Sequence, residues 1–198
     1  MSELSIRVFL AVAVPDDIRA AIDTVVAPLR GRLPRVRWVR SELWHFTLIF
    51  LGERPQVEID RVREMARAVC SGASPFSMAM KGTGCFPGAG RPRVLWAGAG
   101  SGLDALAGLR ARIHSALRDS GISMPNESFS AHLTVGRVRD DTAPEGRSEI
   151  GRLWAAMPLP SLAPFDVHEV QLMRSDLGPA GPRYTSLAAF PLSAGRAV

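Results

Sequence analysis

Apolar positions along the chain fall into two kinds of pattern. Ile6 to Val14 is a nearly unbroken run of Val, Ile, Phe, Leu and Ala, interrupted by Arg7, and is predicted as a buried strand. Pro15 then opens a predicted helix. Asp16 and Asp17 lie in its first turn, its apolar face carries Ile18, Ala21, Ile22, Val25 and Leu29, and Gly31 and Pro34 end it. Further helices are predicted over Gln56 to Cys70, Leu103 to Leu117 and Ser148 to Ala156 from spacings of three and four between apolar residues. Strands are predicted over Arg35 to Val39, His45 to Leu51, Phe76 to Phe86, Arg93 to Ala97, His132 to Val138, Asp166 to Arg174 and Tyr184 to Phe190. Gly and Pro clusters at 87–92 and 178–182 and the polar stretch 140–146 mark loops.

Two sections of this series resemble each other. Each holds a helix, a strand that begins His-x-Thr, another helix and flanking strands. Strands and helices do not alternate with the steady beat of a parallel sheet. The expected class is therefore α+β with antiparallel sheets, arranged as two related lobes. The length, 198 residues, suits a single two-lobed domain over 1–198.

The two strands carry the chemistry. Side chains alternate along a strand, so His45, Thr47 and Ile49 are expected on one face, with Phe46, Leu48 and Phe50 in the core. His132 and Thr134 repeat the arrangement, with Leu133 and Val135 opposite. A single His-x-Thr means little, since a lone histidine of this kind is usually structural. Two copies in matching contexts, 87 positions apart, point to a shared task. Opening a phosphodiester needs one proton removed from the attacking oxygen and one delivered to the leaving oxygen. Histidine titrates near neutrality and does either job. Two threonine hydroxyls suit the charged non-bridging oxygens. The scheme requires no metal or cofactor, and no His-Glu-x-x-His or Cys-x-x-Cys spacing suggests zinc.

Composition adds a little. Net charge is +5, and all but Lys81 of the 24 Lys and Arg residues are arginines. Arginine forks match phosphate oxygens, although an arginine bias beside many Ala, Gly and Val residues also follows from a GC-rich genome. Cys70 and Cys85 are expected as reduced thiols. No secretory signal is recognisable, and no apolar stretch approaches the ~20 residues that span a bilayer. A cytoplasmic protein without membrane contact, and a monomer, is the expectation.

The motif segments also carry a family resemblance. Arg7-Val8-Phe9-Leu10-Ala11-Val12, Leu43-Trp44-His45-Phe46-Thr47-Leu48-Ile49-Phe50-Leu51-Gly52-Glu53, Arg93-Val94-Leu95-Trp96-Ala97-Gly98, Phe129-Ser130-Ala131-His132-Leu133-Thr134-Val135-Gly136-Arg137 and Tyr184-Thr185-Ser186-Leu187 resemble segments of the two-histidine (2H) phosphoesterases. Within that group the chain resembles the bacterial RNA 2′,3′-cyclic phosphodiesterases, historically called 2′-5′ RNA ligases of the LigT/ThpR type. The resemblance covers nearly the whole chain. It implies an α+β fold of two pseudo-symmetric lobes, each an antiparallel sheet flanked by helices, with the active-site cleft between them. It implies hydrolysis of a terminal 2′,3′-cyclic phosphate to a 2′-phosphomonoester, with RNA ends or nucleotides as partners. It implies His45 as proton donor to the departing 3′ oxygen, His132 as the base that activates water, and Thr47 and Thr134 as phosphate ligands. Phe46, Ala131 and Val135 depart from the commoner family residues at core or backbone positions.

Other candidates are weaker. Arg137 lies just past the second motif, where strict alternation turns it away from His132 and a bulge would turn it back. Trp96 suits stacking on a base, and Tyr184 follows a loop that could bring it to the cleft; both also suit structural roles. Phe9 is expected in the core, His114 as a partly packed helix residue, and His168 outside the site. Two rival functions stand beside hydrolysis: 2′-5′ ligation, which is the reverse chemistry, and a nucleotide- or RNA-binding module without turnover.

Overall fold

The computed structural model describes residues 5–125, 129–157, 159, 162–179 and 181–193. Among the described residues, nine strands and four helices follow in the order β1 (Ile6–Ala13), α1 (Asp16–Arg32), β2 (Val36–Trp38), β3 (His45–Arg54), α2 (Gln56–Cys70), β4 (Phe76–Phe86), β5 (Val94–Ser101), α3 (Leu103–Asp119), β6 (His132–Val138), α4 (Pro144–Ala155), β7 (Phe165–Val167), β8 (Glu169–Gly178) and β9 (Gly181–Pro191). A short 3-10 turn, Ser41–Leu43, precedes β3. None of the described helices is long and apolar enough to cross a membrane.

All nine strands belong to one antiparallel sheet with the order β7-β4-β5-β6-β3-β1-β8-β9, and β2 pairs with β6. The two expected lobes are two halves of this sheet. They meet at a narrow seam where β3 and β6 share a single registered pair, Phe46 with Leu133. The halves are built by exchange. The first section contributes β1, α1, β3, α2 and β4, but β4 pairs with β5 of the second section. The second contributes β5, α3, β6, α4 and β8, but β8 pairs with β1 of the first. Each half therefore needs a strand from the other, which couples their folding. The buried face of the sheet supplies Val8, Leu10, Val12, Phe46, Leu48, Met78, Met80, Leu95, Leu133, Val135 and Leu172 to one continuous core. Helices α2 and α3 pack on each other and reach β3, β8 and β9, while α4 packs on β4.

Three local expectations change. Helix α4 starts at Pro144, inside the expected polar loop: proline suits the first helical position and Glu145 suits the dipole there. The expected 178–182 loop is instead a tight hairpin, with β8 and β9 paired through Gly178 and Gly181. Phe50 is not core. It is 46% exposed, and Ile49, expected beside His45, is buried. The reason is a bulge. Leu10 pairs with Ile49 and Ala11 with Thr47, so one extra residue of β3 slips the alternation by one. Leu48 and Ile49 both turn inward, and Phe50 emerges on the histidine face.

Candidate active site

The single pair at the seam places both motifs. With Phe46 opposite Leu133 in antiparallel register, His45 falls opposite Thr134 and Thr47 opposite His132. Opposed residues share a face, so two imidazoles and two hydroxyls cluster on the face away from Phe46 and Leu133. The four groups alternate around an approximate twofold at the seam.

Each imidazole is aimed in the same way. His45 Nδ1 lies 2.8 Å from the carbonyl of Leu43, and His132 Nδ1 lies 2.8 Å from the carbonyl of Ser130. A carbonyl oxygen only accepts, so Nδ1 of each ring carries the proton and donates. In the neutral rings Nε2 is then the basic nitrogen. His45 Nε2 lies 3.0 Å from Thr47 Oγ1 and accepts from it in that state. The 3-10 turn before β3 supplies the Leu43 carbonyl.

Aromatic rings flank both histidines. Phe9 stacks on His45 at 4.9 Å, and Tyr184 meets the His45 ring edge-on at 5.3 Å. Phe86 meets His132 edge-on at 4.9 Å and leans on Trp96 at 5.5 Å. Phe9 is buried as expected, yet its ring borders the site. Trp96 pairs with Thr134 across β5 and β6, so it lies on the histidine face, and its buried Nε1 has no hydrogen-bond partner among the described residues. Burial lowers the His45 pKa below the ordinary histidine value, opposed by its bond to Leu43 and aided by repulsion from His132. Burial raises the Tyr184 phenol, against the pull of Arg137 and Arg7.

Strand register places Arg137. Leu95 pairs with Gly136 and Trp96 with Thr134, so β6 carries a bulge at Val135 and Gly136. The slip returns Arg137 to the histidine face, where its charge acts on Tyr184. Gly136 is required by the approach of β2: a Cβ there would lie 2.6 Å from Val36 Cγ1 and 3.3 Å from Trp38 Cε3. The same slip follows each motif, and the fifth residue past each histidine, Phe50 or Arg137, rejoins the site face.

A cleft of about 200 Å³ opens beside Thr47 and His132, lined also by Phe50, Phe86, Arg110 and His114. Arg110 donates from Nε to the Leu48 carbonyl at 3.1 Å and lies 5.0 Å over the Phe129 ring. Phe50, Phe86 and Arg110 escape the sequence reading. Phe86 and Arg110 lie far from the motifs in sequence; strand pairing brings in Phe86, and the packing of α3 on β3 brings in Arg110. His168 lies between β7 and β8, away from this group.

Comparison with known proteins agrees with the geometry. The sequence profile of the 2'-5' RNA ligase superfamily matches residues 14–179. The RNA 2',3'-cyclic phosphodiesterase of Thermus thermophilus is 35% identical over 193 residues, covering 94% of this chain and 90% of its own. That of Methanothermobacter thermautotrophicus is 30% identical over 189 residues, covering 96% and 100%. Among solved structures, TT0787 of Thermus thermophilus superposes with a TM-score of 0.71 at 32% identity, covering 96% of this chain and 99% of its own. Escherichia coli LigT in its apo form gives 0.74 at 25% identity, covering 97% and 99%.

Proposed function

The chain belongs to the 2'-5' RNA ligase superfamily, and on that premise we propose that it hydrolyses terminal 2′,3′-cyclic phosphates to 2′-phosphomonoesters by acid/base catalysis between His45 and His132. The observation that carries the reading is the matched presentation of two Nε2 atoms, each fixed by a backbone carbonyl two residues upstream. In this scheme His132 Nε2 takes a proton from water as the water oxygen bonds to phosphorus. The bond from phosphorus to O3′ breaks, and His45 Nε2 delivers its proton to O3′. The 2′ ester bond stays intact. Thr47 and Thr134 donate to the non-bridging oxygens, Arg137 supplies positive charge beside them, and Trp96 and Tyr184 border the nucleoside.

The acid role asks His45 to be charged, whereas burial favours its neutral form. A bound phosphate resolves this. Its negative charge offsets both burial and the repulsion from His132, so protonation of His45 and substrate binding reinforce each other. The acid is thus charged most readily when there is a leaving group to protonate.

The test is product analysis on a 2′,3′-cyclic nucleotide in EDTA. The expected product is the 2′-phosphomonoester, with loss of turnover in both His45→Ala and His132→Ala. A 3′-phosphomonoester would refute the leaving-group assignment. Full activity in both variants would refute the mechanism.

A further inference from the structure

Two arginines face each other across β2 and β6. Arg37 pairs in register with Arg137, while its neighbours Val36 and Trp38 turn to the buried side, Trp38 packing on Trp154. Arg37 therefore shares the face of Arg137, which is the face of His45 and Thr134. Both guanidinium groups are exposed, and neither has an ion pair among the described residues. The nearby Asp141 is engaged by Arg35 at 3.0 Å. Like charges directly opposite each other on paired strands destabilise a sheet. An anion that bridges them removes that cost, and arginine forks suit phosphate oxygens in particular.

The position selects which phosphate. Strand β2 pairs with the same edge of β6 as β3 does. Arg37 thus stands on the His45 side of the seam, roughly 10 Å along β6 from Thr134. In the reaction proposed above, His45 faces the leaving O3′. The ribose keeps both O2′ and O3′, so the nucleoside and everything attached to its 5′ end occupy that side, while water enters beside His132. A phosphate one nucleotide upstream of the cyclic end falls on the side where Arg37 lies.

We propose that Arg37 binds the phosphate immediately 5′ of the terminal cyclic nucleotide, and so makes the enzyme select RNA ends over free cyclic mononucleotides. This rests on the hydrolase reading and adds a preference for a polynucleotide. Arg137 serves the scissile phosphate, and Arg37 serves the next one.

The experiment compares kcat/KM for two substrates: a trinucleotide ending in a 2′,3′-cyclic phosphate, and a 2′,3′-cyclic mononucleotide without a 5′ phosphate. The ratio of the two values cancels any loss of folded protein. The wild type should favour the trinucleotide. Arg37→Ala should lower the ratio by about tenfold or more, and Arg37→Lys by less. The salt dependence of the trinucleotide reaction, log kcat/KM against log salt, should flatten by about 0.7 in Arg37→Ala, the share of one phosphate contact on a single strand. Arg61→Ala, on the exposed side of α2, should leave ratio and slope as they are. An unchanged ratio and slope in Arg37→Ala, or a wild type indifferent to the upstream phosphate, overturns the assignment and leaves the hydrolase reading standing. A wild type that opens neither substrate strikes the hydrolase reading itself.

Discussion

Gly84→Ala disturbs the wall of the cleft without touching a group that handles protons or phosphate. Gly84 pairs with Trp96 across β4 and β5, and the indole lies over the bare backbone. An added Cβ would sit 2.1 Å from Trp96 Cζ2, 2.4 Å from Cη2 and 2.7 Å from Cε2. Carbon atoms settle near 3.5 Å or beyond, so the ring must retreat by roughly 1.4 Å. Phe86 leans on the ring at 5.5 Å, so the retreat presses on it as well. Overpacking of this kind costs about 1–3 kcal/mol. For a chain of this size that lowers Tm by roughly 2–4 °C per kcal/mol. Because Phe86 links Trp96 to His132, kcat/KM should also fall, by about ten- to a hundredfold. The assay is a double-mutant cycle by thermal unfolding. In a Trp96→Leu background the added methyl meets no ring, and most of its cost should vanish, a coupling of about 1 kcal/mol or more. A Gly84→Ala protein that melts like the wild type would refute the packing argument. So would an equal penalty with and without Trp96.

Three further outcomes follow, two from the site and one from the packing behind it. Thr47→Val and Thr134→Val keep side-chain shape and remove a donor, so each should lower kcat by about 10²-fold with little change in KM; a KM effect alone would make the hydroxyls binding groups without a transition-state role. Activity should be bell-shaped in pH, with the basic limb of kcat/KM below the ordinary histidine value of about 6.5, because the free protein must hold a proton on His45 that burial disfavours; the basic limb of kcat should lie higher, since bound phosphate raises that pKa. A kcat/KM basic limb above pH 7 would contradict this. Arg147 is buried and donates to the carbonyls of Thr142, Pro92, Arg139 and Asp140 at 2.9–3.1 Å, tying the segment after β6 to the one before β5, so Arg147→Met should cost about 3 kcal/mol in denaturant unfolding.

Much of the site is legible in the sequence because its signal is local. Strand alternation sets His45 beside Thr47 and His132 beside Thr134, and each Nδ1 partner lies two residues upstream. What alternation misplaces is the residue just beyond each motif. It assigns Phe50 to the core, and it turns Arg137 away unless a bulge intervenes. Both departures from strict alternation share a cause. A bulge adds one residue to one strand, and the pairing partner that reveals it lies elsewhere in the chain. A trace is nevertheless present: Leu48-Ile49 and Val135-Gly136 are consecutive inward residues where an unbroken strand would alternate. The exchange of β4 and β8 between the halves leaves no such trace. Which strand pairs with which is decided by long-range packing, and so the arrival of Phe86 beside His132 is not readable. The α4 boundary is missed differently, because Pro144 marks a turn or a helix start equally well.

The central claim is that the two histidines divide the protons, His45 serving the departing O3′ and His132 the attacking water. A 2′,3′-cyclic substrate with sulfur in place of O3′ tests it most directly. A thiolate, whose conjugate acid has a pKa of about 8.5, leaves without help from an acid. On this substrate the His45→Ala protein should regain at least about 10²-fold of the turnover it loses on the oxygen substrate, and the His132→Ala protein should regain none. Rescue of His132→Ala in place of His45→Ala, or of neither, would contradict the account.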